Sequence, residues 1–251
     1  MKVVMSLTTT PSRFEALSKH LLYNLTMQAC HEVWVNIPRR YTRFPDWDGV
    51  IPEALHNISS KVVINRDCED FGPGTKFIGP ALKLLPDDLI IYVDDDTHYD
   101  PHLAKNLLKW HLTDTKSAWG LSGFKFEDYF RDHYPRQHGA PLDVLEGYGA
   151  VIVKAKWIQD ALPEFKELLD VTWHDDMLLC NLLEKAGVTR KTVFTPECNV
   201  GQHIRQFDFG FGQDALHVVA GPGGHKENNM KILKDLELKG KLYYKYTVPS
   251  C

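Results

Sequence analysis

The sequence predicts an α/β fold, a mixed and mostly parallel central sheet flanked by helices, with an irregular C-terminal region. Three observations carry this prediction. Short apolar runs recur at 2–7, EVWVNIP (32–38), KVVINR (61–66) and LIIYVDD (89–95). Stretches with helical spacing lie between them, the alternation expected of parallel strands joined by crossover helices. Polar clusters follow directly on strand ends, where open α/β sheets bind their ligands.

The elements follow in chain order. After the first strand, Thr8, Thr9, Thr10, Pro11 and Ser12 read as a polar turn, with the proline opening a helix that runs to about Gln28. Residues 75–85 have helical spacing and Pro86 follows their end. In the second half HLAKNLLKWHL (102–112) reads as helix, while SAWGLSGF (117–124) and YGAVIVK (148–154) read as strands. DDMLLCNLLEKAG (175–187) is a helix with a glycine stop, and 228–239 forms a last helix. Between them 196–226 is rich in Gly, His and aromatics, the composition of a long ordered or closable loop.

Composition narrows the function classes. The 251 residues are 43% hydrophobic and 25% charged, with a net charge of −4 and no long basic run, which argues against a nucleic-acid partner. The Arg39, Arg40, Arg43 cluster reads as a solvated loop. No stretch reaches the roughly 20 apolar residues of a membrane span. The first apolar run is shorter than a signal-peptide core, so a soluble cytoplasmic protein is expected. Five scattered cysteines without CxxC spacing fit reduced thiols.

The chemistry concentrates in LIIYVDDDTHYD (89–100). Asp94, Asp95 and Asp96 repel one another and gain little for stability, so a positive group is expected between them. Carboxylate oxygens favour a hard cation such as Mg²⁺ or Mn²⁺; the plainer account is a solvated turn that includes Asp100 and Pro101. DFGPGTK (70–76) suits phosphate at a helix N-terminus or a Gly-Pro turn ahead of Thr75, and lacks a Walker A frame. Asp175 and Asp176 open a helix, where one can cap while the other faces a cleft; the helix field lowers a nearby carboxyl's pKa. His203, His217 and His225 are candidate third metal ligands, His203 first among them. GPGGHK (221–226) suits closure over a diphosphate or a surface loop. Trp119 and Trp157 read as core. Trp173 and Tyr148 can floor a sugar ring, and Glu146 can bind a sugar hydroxyl or sit exposed in a loop.

Taken in order, these segments resemble GT-A-fold glycosyltransferases over about residues 2–190. YVDDDT resembles their DXD motif, SLTTTPSR their nucleobase loop, DFGPGTK the segment before the DXD strand, EGYGAVIVK the acceptor-side loop, and WHDDMLLCNLL the late acidic pair. The pattern is close to viral and bacterial glycan-building enzymes and to exostosin-like transferases. The resemblance implies one Rossmann-like domain over 1–251, nucleotide-binding in 1–100 and acceptor-binding in 101–251. It implies Mn²⁺ or Mg²⁺ on Asp96, Asp94 and His203. Thr8, Arg13, Asp70, Lys76, Asp94 and Asp95 would bind the nucleotide, and Glu146, Tyr148 and Trp173 the sugar or acceptor. Asp176 would be the base, with Asp175 as its helper or cap; the family more often has Glu-Asp here.

The expected activity is transfer of a sugar from a nucleotide-sugar, UDP by default with GDP open, to a glycan or glycoconjugate hydroxyl. An acidic base implies inversion, whereas the exostosin-like likeness points to retention. A sugar nucleotidyltransferase would show a Gly-rich basic N-terminal loop, which TTTPSR is not. A haloacid dehalogenase-type phosphotransferase fails on the frame after the second aspartate. An inactive carbohydrate-binding relative need not keep both acidic sets.

Overall fold

The computed structural model describes residues 1–129, 137–199, 204–206 and 224–245. The chain runs β1 (Val3–Thr8), α1 (Phe14–Ala16), a π-helical turn Leu17–Leu21, α2 (Leu22–Thr26), β2 (Glu32–Asn36), β3 (Val62–Asn65) and α3 (Thr75–Ala81). It continues through β4 (Leu89–Tyr92), β5 (Thr97–Tyr99), α4 (Leu103–Thr113), β6 (Ser117–Gly120), β7 (Gly123–Phe124), α5 (Phe126–Tyr129), β8 (Val144–Leu145) and β9 (Val151–Lys154). Then come α6 (Ala155–Leu168), α7 (Asp175–Lys185), β10 (Thr189–Thr192), β11 (Ile204–Gln206) and α8 (Gly224–Leu238).

Seven strands form the central sheet in the order β10-β6-β9-β4-β1-β2-β3. All neighbours are parallel except β9, which is antiparallel to both β4 and β6. The mixed, mostly parallel sheet is therefore as expected. Period-2 alternation sends successive side chains to opposite faces. Val4, Ile90, Tyr92 and Val153 pack with Phe77 of α3, Phe165 of α6, Leu178 of α7 and Leu236 of α8. Met5, Val35, Ile91 and Ile152 pack with Leu17, Leu21, Leu25 and Leu107 on the other face. Covering both faces explains why β1 and β4 read as unbroken apolar runs.

Several boundaries differ from the sequence reading. β4 stops at Tyr92, so the three aspartates stand in the turn beyond it. SAWGLSGF splits into β6 and β7, because Leu121 and Ser122 turn away from the sheet. The helix α6 was not legible: Pro163 in its interior is a breaker, but Ile158, Phe165 and Leu168 are buried and the packing prevails. β10 escaped because TRKT is polar; it pairs only at the sheet edge beside β6. Most of 196–226 lies outside the described residues, as do His203 and His217. Among the described residues Cys30, Cys68, Cys180 and Cys198 form no disulfide, and no helix is long and apolar enough to cross a membrane.

A polar chain, buried at Ser6, Asn36 and Asn65, seats α3 on the sheet. Ser6 Oγ donates to the Lys76 carbonyl. Asn36 Nδ2 donates to Ser6 Oγ at 2.8 Å, Asn65 Nδ2 to Asn36 Oδ1 at 2.9 Å, and Lys83 Nζ to Asn65 Oδ1 at 2.9 Å. Satisfied networks of this kind fix one arrangement. Gly79 lets the helix approach, since a Cβ there would lie 2.4 Å from Asn36 Oδ1. Gly79→Ala is therefore expected to cost about 1–3 kcal/mol by overpacking, a fall of roughly 2–4 °C in Tm per kcal/mol. An unchanged thermal melt would show that Asn36 is not held.

Candidate active site

From β1 the chain moves outward to β2 and β3, then crosses back to β4 on β1's other side. The loops after β1 and β4 thus diverge and leave a crevice at the carboxyl edge, the switch point where α/β sheets bind ligands. Because β9 is reversed, its leading turn 146–150 arrives at the same edge, with Tyr92 and Gly120 both registered on Val151.

The acidic turn is tied down from both sides. Thr9 Oγ1 donates to Asp95 Oδ2 at 2.7 Å, and Arg13 Nη1 donates to Asp95 Oδ1 at 2.6 Å. Asp95 therefore fastens the β1 loop to the β4 turn. Asp96 Oδ2 lies 3.3 Å from the same Arg13 nitrogen, and its Oδ1 accepts from Thr97 Oγ1 at 3.1 Å. Asp94 Oδ1 accepts from Lys76 Nζ at 2.7 Å, while a third of its side chain stays open to solvent. Burial raises the pKa of Asp95 despite Arg13. Burial, then Asp94 and Asp95, push Asp96 up to about 6. Tyr99 Oη, buried beneath, accepts from the Asp94 N–H at 3.2 Å and donates to the Tyr148 carbonyl at 3.1 Å.

Lys76 joins this turn to the start of α7. Its Nζ is 2.9 Å from Asp175 Oδ2 and 4.0 Å from Asp176 Oδ1. Burial alone would lower its pKa, but Asp175, Asp94 and Asp176 outweigh that and hold it well above its ordinary value. The expected cap is corrected here. His174 occupies the N-cap position and no side chain caps the helix; Asp175 and Asp176 are its first two residues and face the cleft. The Gly147 N–H donates to Asp176 Oδ2 at 3.0 Å. Asp176 Oδ1 is buried without a hydrogen bond, and Asp175 Oδ2 has ion-pair reach to Lys76 but no hydrogen-bond alignment. The helix field predicted a depressed carboxyl; instead burial raises Asp176 well above its ordinary value, with Asp175 and Asp94 adding to it against Lys76. Desolvation exceeds the dipole because the field of one helix end is worth only about 0.3–1 kcal/mol.

The sugar-side candidates form a second polar group. Ser122 Oγ donates to Glu146 Oε2 at 2.6 Å and lies 2.7 Å from Tyr148 Oη. Glu146 is thus engaged rather than exposed, and burial raises its pKa. Trp173 packs on Gly72, whose φ is +57° and where a Cβ would lie 2.3 Å from the indole. One face of that ring is therefore covered by protein. Ser122, Thr9, Tyr99 and Gly147 were not singled out from sequence; only their position next to strand ends hinted at them.

Two candidates lie apart from the acidic group. Thr8 Oγ1 donates to the Asn36 carbonyl at 2.9 Å, so Thr9 rather than Thr8 meets the aspartates. Asp70 accepts from the Thr42 N–H at 2.7 Å and the Gly72 N–H at 2.9 Å. It borders a cleft of about 470 Å³ with Arg39, Arg40, Arg66, Asp67, Cys68, Glu69 and Leu82, beyond the ends of β2 and β3. His203 lies outside the described residues.

No protein-family model matches this chain, and no curated protein matches it. Among solved structures it is similar to S. aureus TarS 1–349, at 13% identity and a TM-score of 0.51, over 94% of this chain and 71% of that one. It is also matched to Francisella tularensis 2-C-methyl-D-erythritol 4-phosphate cytidylyltransferase, at 10% identity and a TM-score of 0.44, over 78% of this chain and 91% of that one. The central sheet and its flanking helices are those of a Rossmann-like GT-A fold.

The donor set suits a hard cation. Its atoms are carboxylate oxygens, Asp94 is open, and two acceptors nearby lack hydrogen bonds. Among the described residues no three His, Cys, Asp or Glu groups are arranged as a ready-made metal cage. Mg²⁺ is commonly held by one or two carboxylates, with phosphate and water completing its shell.

The raised carboxyls carry a stability consequence. A carboxyl whose folded pKa exceeds its unfolded value binds more protons when folded between the two values. Stability therefore falls as pH rises through that window and stays lower above it. Asn imitates the neutral form, so Asp96→Asn without metal is expected to melt above wild type at pH 7. The advantage should shrink as pH falls from about 6 toward the ordinary 3.8. A lower Tm at pH 7 would contradict this.

Proposed function

We propose that this chain is a metal-dependent glycosyltransferase that moves a sugar from a nucleotide-sugar, with UDP the first choice, to a hydroxyl of a glycan or glycoconjugate. The observation that carries the reading is the meeting of the β4 acidic turn with the Asp175–Asp176 pair in one cleft of a GT-A-like sheet. The GT-A-like fold, to which S. aureus TarS 1–349 is similar, supports the reading.

Asp96 and Asp94 would hold Mn²⁺ or Mg²⁺ together with the donor's diphosphate, and His203 is proposed as a third ligand. A divalent ion at that place supplies Lewis acidity to the leaving diphosphate. The protein's own groups do the rest. Arg13 and Thr9 lock Asp95, and through it the turn that presents Asp94 and Asp96. The cleft bordered by Asp70, Arg39, Arg40 and Arg66 is the proposed place of the nucleoside, and Thr8 and Arg13 are proposed as further nucleotide contacts. Ser122, Glu146 and Tyr148 would read sugar hydroxyls, and Trp173 would support the ring.

Asp176 would take the acceptor's proton. The Gly147 N–H fixes its Oδ2, which leaves Oδ1 as the acceptor. A raised pKa strengthens a carboxylate as a base, because proton affinity closer to working pH favours transfer. The hydroxyl oxygen then attacks the anomeric carbon as the bond to the diphosphate breaks, with inversion when attack comes from the opposite face.

Incubation with UDP- and GDP-sugars plus Mn²⁺ tests the reading. Slow release of nucleoside diphosphate is expected, abolished by EDTA. Asp176→Asn should lower kcat by about 10²–10⁴-fold while the protein stays folded, and Asp96→Ala should abolish turnover. Metal-independent sugar binding without release, or full metal-dependent activity of Asp96→Ala, would overturn it.

A further inference from the structure

We propose that Lys76 is a positioning residue that couples the donor-side turn to the base, and not a ligand of the donor's diphosphate. The inference deepens the transferase reading and rests on it.

The geometry leaves the ammonium no route to a donor. Its side chain is 3% exposed. Gly147 covers it so closely that a Cβ there would lie 2.5 Å from Nζ and 3.2 Å from Asp94 Oδ1. The Tyr92 ring closes the other side at 5.6 Å. The carbonyl of the same residue is held by Ser6, so the stem is anchored where it leaves α3. An incoming phosphate oxygen would have to displace Asp94 or the 147–149 turn to reach Nζ.

What Lys76 does touch comes from different parts of the chain. Asp94 lies at 2.7 Å in the β4 turn, and Asp175 and Asp176 lie at 2.9 and 4.0 Å on α7. Gly147, packed on Nζ, also holds Asp176 Oδ2 through its N–H. One buried cation thus sets the separation between the carboxylate offered to the donor and the carboxylate offered to the acceptor. Any movement of Asp94 on donor binding passes through it to the base. Effective rates depend steeply on such placement, and a misplacement of about 1 Å can cost on the order of 10²-fold.

The two roles separate in kinetics. Loss of a diphosphate ligand weakens donor binding, whereas loss of a positioning group lowers kcat. Lys76→Met alone strands three carboxylates, so the tested protein is the double variant Lys76→Met/Asp175→Asn, compared with Asp175→Asn alone. Gly147→Ala is a supporting variant that crowds Nζ and Asp94 Oδ1 without changing charge. Rates are normalised to folded protein, and Kd for UDP with Mn²⁺ is measured by calorimetry. The expected result is a fall in kcat of on the order of 10²-fold in the double variant relative to Asp175→Asn. A fall of the same kind in Gly147→Ala is expected, with donor KM and UDP Kd within about threefold throughout. A rise of tenfold or more in KM and Kd with kcat kept makes Lys76 a diphosphate ligand, and unchanged kinetics denies it any role. Either result overturns only this proposal. A wild-type protein that turns over no nucleotide-sugar overturns the transferase reading and this proposal with it.

Discussion

Asp94, Asp95 and Asp96 from the β4 turn and Asp175 and Asp176 from α7 face one another across two cations, Arg13 and Lys76. Most of these groups are buried, where like charges repel strongly and lost hydration is not returned unless each charge is paired. The raised pKa values of Asp96 and Asp176 are the direct expression of that imbalance. The surrounding structure exists to hold it. Thr9, Thr97 and the Gly147 N–H each place a donor against a carboxylate of the cluster, and Tyr99 Oη accepts from the Asp94 N–H. Such an arrangement costs stability in the protein as it stands.

The sheet topology delivers this cluster. Parallel β1 and β4 bring two polar loops to one edge, and the reversed β9 brings the 146–150 turn to meet them. Had β9 run parallel, Glu146, Gly147 and Tyr148 would lie at the opposite edge, away from Asp94. The backbone records the tightness of this turn, since Ala150 sits at a φ of +62°. Non-glycine residues in that region persist where the surroundings over-determine them, and such residues cluster at functional sites.

Much of this was legible in the sequence. The four apolar runs of the first half and the abrupt change from IIYV to DDD located the sheet and its acidic edge. DDMLLCNLLEKAG located α7 and its acidic pair. What stayed hidden depended on side-chain direction or long-range packing. Thr8 and Thr9 are chemically alike, and only the exit of the chain from β1 decides that Thr9 reaches Asp95. Lys76 reads as a cation at a helix start; its burial comes from α3 being seated by Ser6, Asn36 and Asn65, residues that no local pattern links. The helix field suggested the wrong sign for Asp176, because burial is a property of the folded cleft and not of the helix end. Pro163 concealed α6 for the same reason: packing of Ile158 and Phe165 overrode a local breaker.

The turn after β4 is proposed to take a divalent ion together with a nucleotide diphosphate. A crystal structure of the protein with Mn²⁺ and UDP is the decisive test. The expected result is manganese held by Asp96 and Asp94 beside the diphosphate, with Asp176 on the side of the vacant sugar position. Manganese and nucleotide bound elsewhere, or that turn left unchanged with Asp94 and Asp96 bare, would contradict it.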